Sequence, residues 1–191
     1  MSPPPVSHSP DLQRLRDEGY DIEIRSNYLL VKHVPFVTAA KQVAYGTIIS
    51  ELSTSGATTV KPSTHVVSFA GGVPCDSRGV ELTTIINSKG RTQVADGLTA
   101  DCRFSSKPPG GYPDYYAKIT AYVNMLSGWA QAIEPSATAK TFPVVPVGQE
   151  ESVFRYLDTA SSRAGISLLT NKLALAKVAI VGLGGTGSYI L

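Results

Sequence analysis

Apolar and polar residues change rhythm several times along this chain of 191 residues. Residues 9–19 follow a helical rhythm: Ser9 suits a cap, Pro10 the first turn, Leu12 and Leu15 share a face, and Gly19 can stop the helix. The period then shortens to two. Asp21-Ile-Glu-Ile-Arg25 alternates, Tyr28-Leu-Leu-Val-Lys32 is a more apolar run broken by Pro35, and Ser26-Asn27 between them suits a tight hairpin turn. Val43 to Leu52 is a further β-rich stretch, followed by a polar loop over Ser53 to Thr59. His65-Val-Val-Ser-Phe-Ala70 reads as a central strand, closed by Gly71-Gly72 and followed by a turn at Pro74-Cys75-Asp76-Ser77 ahead of Gly79. Ile85-Ile86, Leu98 and Cys102 to Phe104 mark further short strands, set between turns at Ser88-Lys89-Gly90 and Asp96-Gly97.

The texture changes at Ser106 to Tyr112, which is rich in Pro and Gly. Pro113 then opens the strongest helical pattern of the chain, running to about Ile133. Tyr115, Ile119, Tyr122, Val123 and Leu126 form one apolar stripe at spacings of three and four, and Trp129 is expected to anchor its end. Asp114 reads as a carboxylate favoured at the helix N-terminus. Pro135 to Gly148 is a proline-punctuated connector. Glu150 to about Ala164 returns to a helical rhythm, with Val153, Phe154 and Leu157 on the packed face, and a short amphipathic piece over Ser167 to Leu175 precedes the last element.

These patterns predict an α+β fold: an N-terminal domain of short mixed or antiparallel strands with one long packed helix, followed by an incomplete Rossmann-like βα unit. The expected divisions are a disordered lead-in over 1–10, an accessory domain over 11–134, a linker over 135–149, and a nucleotide-binding start over 150–191.

Composition narrows the classes without naming one. Hydrophobic residues are 42% and charged residues 17%, and mean hydropathy is +0.03, which suits a folded globular chain. No apolar stretch is long enough for a transmembrane helix, and MSPPPVSHSP lacks the features of a signal peptide. A formal net charge of +2 with scattered basic residues argues against nucleic acid as a partner, and no membrane partner is expected. Cys75 and Cys102, with no CxxC spacing, are expected to be reduced thiols of a cytoplasmic, bacterial-type protein.

The segment richest in chemistry is the C-terminal one. Lys177-Val-Ala-Ile-Val181 leads directly into Gly182-Leu-Gly184-Gly185-Thr-Gly187 and then Ser188-Tyr-Ile-Leu191. Gly182 permits the tight turn leaving a strand, Gly184 lets backbone approach a phosphate, and Gly187 lets a new helix pack closely on its strand. Exposed amides and the positive helix end then attract a polyphosphate.

The doubled glycine and following Ser in GLGGTGS resemble the start of the ThiF-like adenylyltransferase domain, the family of ubiquitin-activating enzymes. The lead-in Thr159-Ala-Ser-Ser-Arg163-Ala-Gly165 and Asn171-Lys-Leu-Ala-Leu-Ala-Lys-Val178 is similar to what precedes that domain's first strand. Residues 11–157 resemble the N-terminal region found ahead of ThiF-like domains in bacterial proteins, some from ubiquitin-like conjugation gene clusters. The resemblance implies an enzyme that uses Mg and ATP to adenylate the C-terminal carboxylate of a ubiquitin-like or sulfur-carrier protein. It places Gly182, Gly184, Gly185 and Gly187 at the ATP. It also gives Arg163 a catalytic role, reaching the ATP phosphates of the partner across a homodimer interface. A surface arginine, or one pairing with Asp158, is the plainer reading of the same residue. The chain stops four residues past Gly187, without the family's acidic ribose-binding residue, phosphate-contacting Arg and Lys, or thioester Cys. The expectation is therefore an enzyme fragment, inactive alone.

Weaker patterns compete. His65, Cys75, Asp76 and Cys102 lack metal-ligand spacing, so no metal site is expected. Cys75 in a Pro- and Gly-rich loop could act as a nucleophile or thioester carrier with His65 as base. Tyr112, Tyr115, Tyr116 and Tyr122 read as core and helix packing rather than a base-stacking platform. Two other functions fit the same chain: an interaction module without catalysis, and a truncated NAD(P)-dependent oxidoreductase, which shares the GxGxxG loop.

Overall fold

The computed structural model describes residues 4–143. They form helices α1 (Pro4–His8), α2 (Pro10–Asp17) and α3 (Tyr115–Gln131), and strands β1 (Ile22–Arg25), β2 (Tyr28–Val37), β3 (Val43–Glu51), β4 (Thr54–Ser55), β5 (Thr58–Thr59), β6 (Val67–Ala70), β7 (Ile86–Ala95) and β8 (Leu98–Phe104). Six strands make one sheet in the order β1-β2-β3-β6-β8-β7, every neighbouring pair antiparallel, and β4-β5 is a separate small hairpin. The fold is α+β, as the alternation of periods predicts.

Local chemistry explains the connections. Ser26 and Asn27 both take positive φ, 49° and 62°, so β1 and β2 are joined by the mirror-image two-residue turn whose twist matches its strands. In β2 the register slips between Val31 and Val34, so that Lys32 and His33 together oppose Thr47. His33 sits at φ 55° there, and the bulge turns His33 outward to Asp21, 3.2 Å away. Asp96-Gly97 closes the β7–β8 hairpin as expected.

Leu29, Val31, Val34 and Phe36 of β2, Ile48 of β3, Phe69 of β6, and Cys102 and Phe104 of β8 form one continuous core with Leu12, Leu15, Tyr115, Ile119, Tyr122 and Leu126 of the helices. Aromatic rings cross this core in a chain. Phe36 meets Phe69 edge-on at 5.2 Å, Phe69 meets Phe104 at 5.4 Å, and Phe104 stacks on Tyr122 of α3 at 6.3 Å. A second cluster joins Leu30 and Ile49 to Leu98 and Ala100, and Tyr28 Oη donates to the Val94 carbonyl at 3.4 Å. The turn end of the β7–β8 hairpin thus packs on β2 and β3, which is why β2 is apolar on almost every residue.

Four expectations need correction. Residues 4–8 form helix α1 and bury Val6, because that side chain has a place in the main core. Ser88-Lys89-Gly90 does not end a strand: β7 runs through it and absorbs the irregular residues as register shifts against β8. Trp129 does not anchor α3 in the core; it is 41% exposed. Residues 135–143 of the expected linker pack on the domain, with Ala137 and Ala139 buried, Lys140 bridged to Tyr20, and Phe142 N–H donating to the Gly19 carbonyl at 2.9 Å. Among the described residues, no helix is long and apolar enough to cross a membrane.

Candidate functional site

The expected nucleotide-loop residues Gly182, Gly184, Gly185 and Gly187, and Arg163 with its alternative partner Asp158, lie outside the described residues. Within residues 4–143, polar chemistry gathers in three places.

The first lies between α3 and β3. Lys118 falls inside the apolar arc of α3, three residues after Tyr115 and four before Tyr122, and is completely buried. Its Nζ donates to Ser50 Oγ at 2.9 Å, and Ser50 is also fully buried. The Tyr115 ring lies 5.9 Å from the same nitrogen. Loss of water pushes the Lys118 ammonium down to about 8, against a smaller opposing pull from Glu51. Next to it, Tyr115 Oη accepts from Ser53 N–H at 2.6 Å and donates to the Glu51 carbonyl at 3.1 Å. Asp11 closes the cluster from the N-terminal side. Its carboxylate accepts from Leu12 N–H at 2.9 Å, Tyr115 N–H at 3.0 Å and Thr59 Oγ1 at 2.7 Å, so one charge serves the first turns of α2 and α3 together. Ser9, expected as a cap, instead accepts from Thr59 N–H at 2.9 Å.

The second is the loop after β6. Asp101 of β8 accepts the consecutive N–H groups of Gly71 and Gly72 at 2.8 and 3.0 Å. Asp76 accepts from the N–H groups of Val80 and Arg78 at 2.9 and 2.8 Å and from the Arg78 guanidinium. The Val80 N–H leads in holding its carboxyl below the usual range. Cys75 is held between Val37 and Glu81 by backbone bridges, and burial raises its thiol pKa. Cys102 is pushed up to about 12 by burial.

The third is a clasp on Glu18. Its carboxylate receives Lys140 Nζ at 2.9 Å, Tyr116 Oη at 2.8 Å and Arg14 Nε at 3.2 Å, and the Arg14 guanidinium lies 3.8 Å from the Tyr116 ring centre. Lys140 leads the contacts that lower the Glu18 pKa, and the same carboxylate raises that of Tyr116.

Read against chemistry, these are scaffold bonds. His65 pairs through Nε2 with Ser105 Oγ at 3.0 Å, while the Cys75 thiol points to the Val73 carbonyl at 3.6 Å; the expected base and nucleophile are occupied separately. Among the described residues, no group of three His, Cys, Asp or Glu side chains is placed to hold a metal ion. The tyrosines pack as expected: Tyr112, Tyr115 and Tyr122 are buried, and Tyr122 Oη donates to the His65 carbonyl at 2.6 Å while accepting from Ser106 N–H at 2.9 Å. Asp114 caps α3 by accepting from Ala117 N–H at 2.7 Å. For Lys118 the sequence signal is a lysine within a core-facing stripe. Asp11 in the first turn of α2 and the Arg14–Glu18 pair four residues apart are local signals, but Tyr115 and Tyr116, which join these carboxylates to α3, lie 104 and 98 residues away in sequence.

Residues 10–159 match the family described as a domain of unknown function, DUF6791. The chain belongs to it. No curated protein and no solved structure matches the chain.

Proposed function

We propose that the DUF6791 domain is the partner-recognition module of an ATP-dependent enzyme that activates the C-terminal carboxylate of a ubiquitin-like or sulfur-carrier protein. The observation that carries this reading is the β-branched run Lys177 to Val181 entering Gly182-Leu-Gly184-Gly185-Thr-Gly187, an order suited to a Rossmann-like βα unit. In that reading the backbone amides around Gly182, Gly184, Gly185 and Gly187 hold the phosphates of ATP with Mg, and Arg163 supplies a planar two-pronged contact to phosphate oxygens. Adenylation joins the carboxylate oxygen to the α-phosphorus and releases pyrophosphate.

A recognition role for residues 4–143 is supported by how their polar groups are spent. Lys118, Asp11 and Asp76 are bonded to the domain itself, and both thiols are buried with raised pKa values.

The test is ATP–pyrophosphate exchange by this chain together with whatever follows it in its gene, with a ubiquitin-like protein bearing a free C-terminal carboxylate. Exchange that needs the carboxylate, is abolished by Gly184→Asp and falls tenfold or more in Arg163→Ala is the expected result. Exchange that survives Gly184→Asp sinks the nucleotide-site reading. Absence of exchange, with retained binding of the small protein to residues 1–143, would leave an interaction module without catalysis.

A further inference from the structure

One cross-strand row of the sheet sets an arginine between two serines on the face turned away from α3. Alternation along β8 sends Cys102 and Phe104 into the main core and Arg103 to the opposite face. Pairing then fixes the neighbours of Arg103. Ser68 of β6 stands directly opposite it on one side and Ser88 of β7 on the other. Directly opposed side chains share a face with Cβ atoms about 5 Å apart, so a hydroxyl flanks the arginine on each side.

These three groups have no use within the domain. Arg14, Arg16, Arg25 and Arg78 each close on a carboxylate, whereas Arg103 is exposed and pairs with none among the described residues. Asp101, two residues earlier on β8, accepts instead from the N–H groups of Gly71 and Gly72, and Gly90 and Arg91 together oppose it across a bulge. Ser68 points to a ligand most directly. It is only 7% exposed, paired beside the buried Ile49 of β3, yet its hydroxyl has no hydrogen-bond partner among the described residues. In that set Ser127 alone seals an unpartnered side-chain oxygen from solvent, so the Ser68 hydroxyl reaches the surface on the face it shares with Arg103. A nearly buried hydroxyl that opens beside a free guanidinium is a donor held in place for an incoming acceptor. Lys61 and Lys107 belong to the coils at this end of β6 and β8, which the His65–Ser105 bond and the Lys61 bond to the Gly110 carbonyl tie together, so the surrounding charge is positive.

We propose that Ser68, Arg103 and Ser88 form a binding site for a phosphoryl group. The planar fork of Arg103 takes two of its oxygens, and the flanking hydroxyls donate to the others. A carboxylate is the poorer fit, because the fork already satisfies both its oxygens and leaves the two hydroxyls unused. The site is built from the described domain and stands independently of the nucleotide-loop reading.

The experiment is titration of the full chain with inorganic phosphate, with phosphoserine capped at both ends, and with acetate, at constant ionic strength. Proton–nitrogen correlation spectra that include the arginine Nε–H signals report where each binds. Saturable shifts confined to Ser68, Ser88, Arg103 and their neighbours are expected, with a phosphate dissociation constant of about 1 mM. Tighter binding of the capped phosphoserine supports a phosphorylated protein as the source of the group, and tighter binding of phosphate supports the free anion. Arg103→Lys keeps the charge but loses the fork, and should weaken binding about tenfold. Ser68→Ala should weaken it about threefold, and Ser88→Ala tests the other flank at an exposed position. The proposal is overturned by shifts that never saturate or that spread over all basic residues, by binding that Arg103→Lys leaves unchanged, or by acetate binding as well as phosphate.

Discussion

The Lys118 ammonium donates to the Ser50 hydroxyl at 2.9 Å, and neither side chain touches solvent. One neutral acceptor is a poor substitute for the water a lysine gives up, which is why its pKa falls from 10.5 to about 8. A lysine whose folded pKa lies below its unfolded value destabilises the fold while both states are charged. The penalty fades as pH rises from about 8 to about 10.5, where the folded chain has released its proton and the unfolded chain still holds one. Lys118→Met, close in shape and without charge, should raise stability by about 1–3 kcal/mol at pH 7. That advantage should shrink as pH approaches 10.5. Urea melts of both proteins across that range check it, because groups common to both cancel in the difference.

Ser127 provides a second gain. Its Oγ is buried on α3 with no hydrogen-bond partner among the described residues. Ser127→Ala removes a desolvated hydroxyl and improves helix propensity, so thermal melting should show stabilisation of about 1 kcal/mol.

Gly46 is held by space rather than by backbone angle. A Cβ there would stand 2.6 Å from the Ala70 carbonyl oxygen and run into the Phe69 ring. Opposing backbone cannot retreat without opening the β3–β6 pairing, so Gly46→Ala should cost more than about 2 kcal/mol in chemical denaturation. A loss under half that would mean the strands yield easily at this point.

Asp11→Ala should be similarly harmful. It strands two backbone N–H groups and the Thr59 hydroxyl at the meeting of α2, β5 and α3, at about 2–3 kcal/mol in equilibrium unfolding. Asp11→Asn, which keeps one carbonyl oxygen, should recover part of that loss.

Both thiols should be inert in the folded chain. Burial raises the pKa of each, so a disulfide reagent at pH 7.5 should label neither Cys75 nor Cys102 until denaturant is added. Prompt modification of Cys75 would restore its candidacy as a nucleophile.

What the sequence disclosed follows from range. Alternation placed β1, apolar runs placed β2 and β6, the stripe over Tyr115 to Leu126 placed α3, and Asp114, Ser26-Asn27 and Asp96-Gly97 announced a cap and two turns, because each is settled by neighbours a few residues apart. The errors lie where distant contacts override a local signal. Gly90 reads as a turn, yet β8 keeps β7 paired across it; Pro135 and Pro143 read as a free connector, yet the intervening segment is bonded to Gly19 and Tyr20. The candidate nucleotide loop was legible as a motif and stays a sequence argument. The buried lysine required noticing a single residue out of place.

Glu18 turns three apparently separate surface contacts into one variable. Arg14 belongs to α2, Tyr116 to α3 and Lys140 to the returning segment bridged to Tyr20, yet all three end on a single carboxylate. Once that carboxylate is gone, each partner has lost its bond to the shared acceptor, and what remains is the Arg14 guanidinium over the Tyr116 ring at 3.8 Å and Lys140 over the Tyr20 ring at 5.4 Å. Their energies are therefore coupled through a shared node and do not add. Protonating Glu18 weakens its bonds to both cations together, because the charge they share disappears in a single step. The corner of the domain where α2, α3 and the returning segment meet thus responds to acid as a switch with one threshold, where three independent salt links would have loosened by degrees.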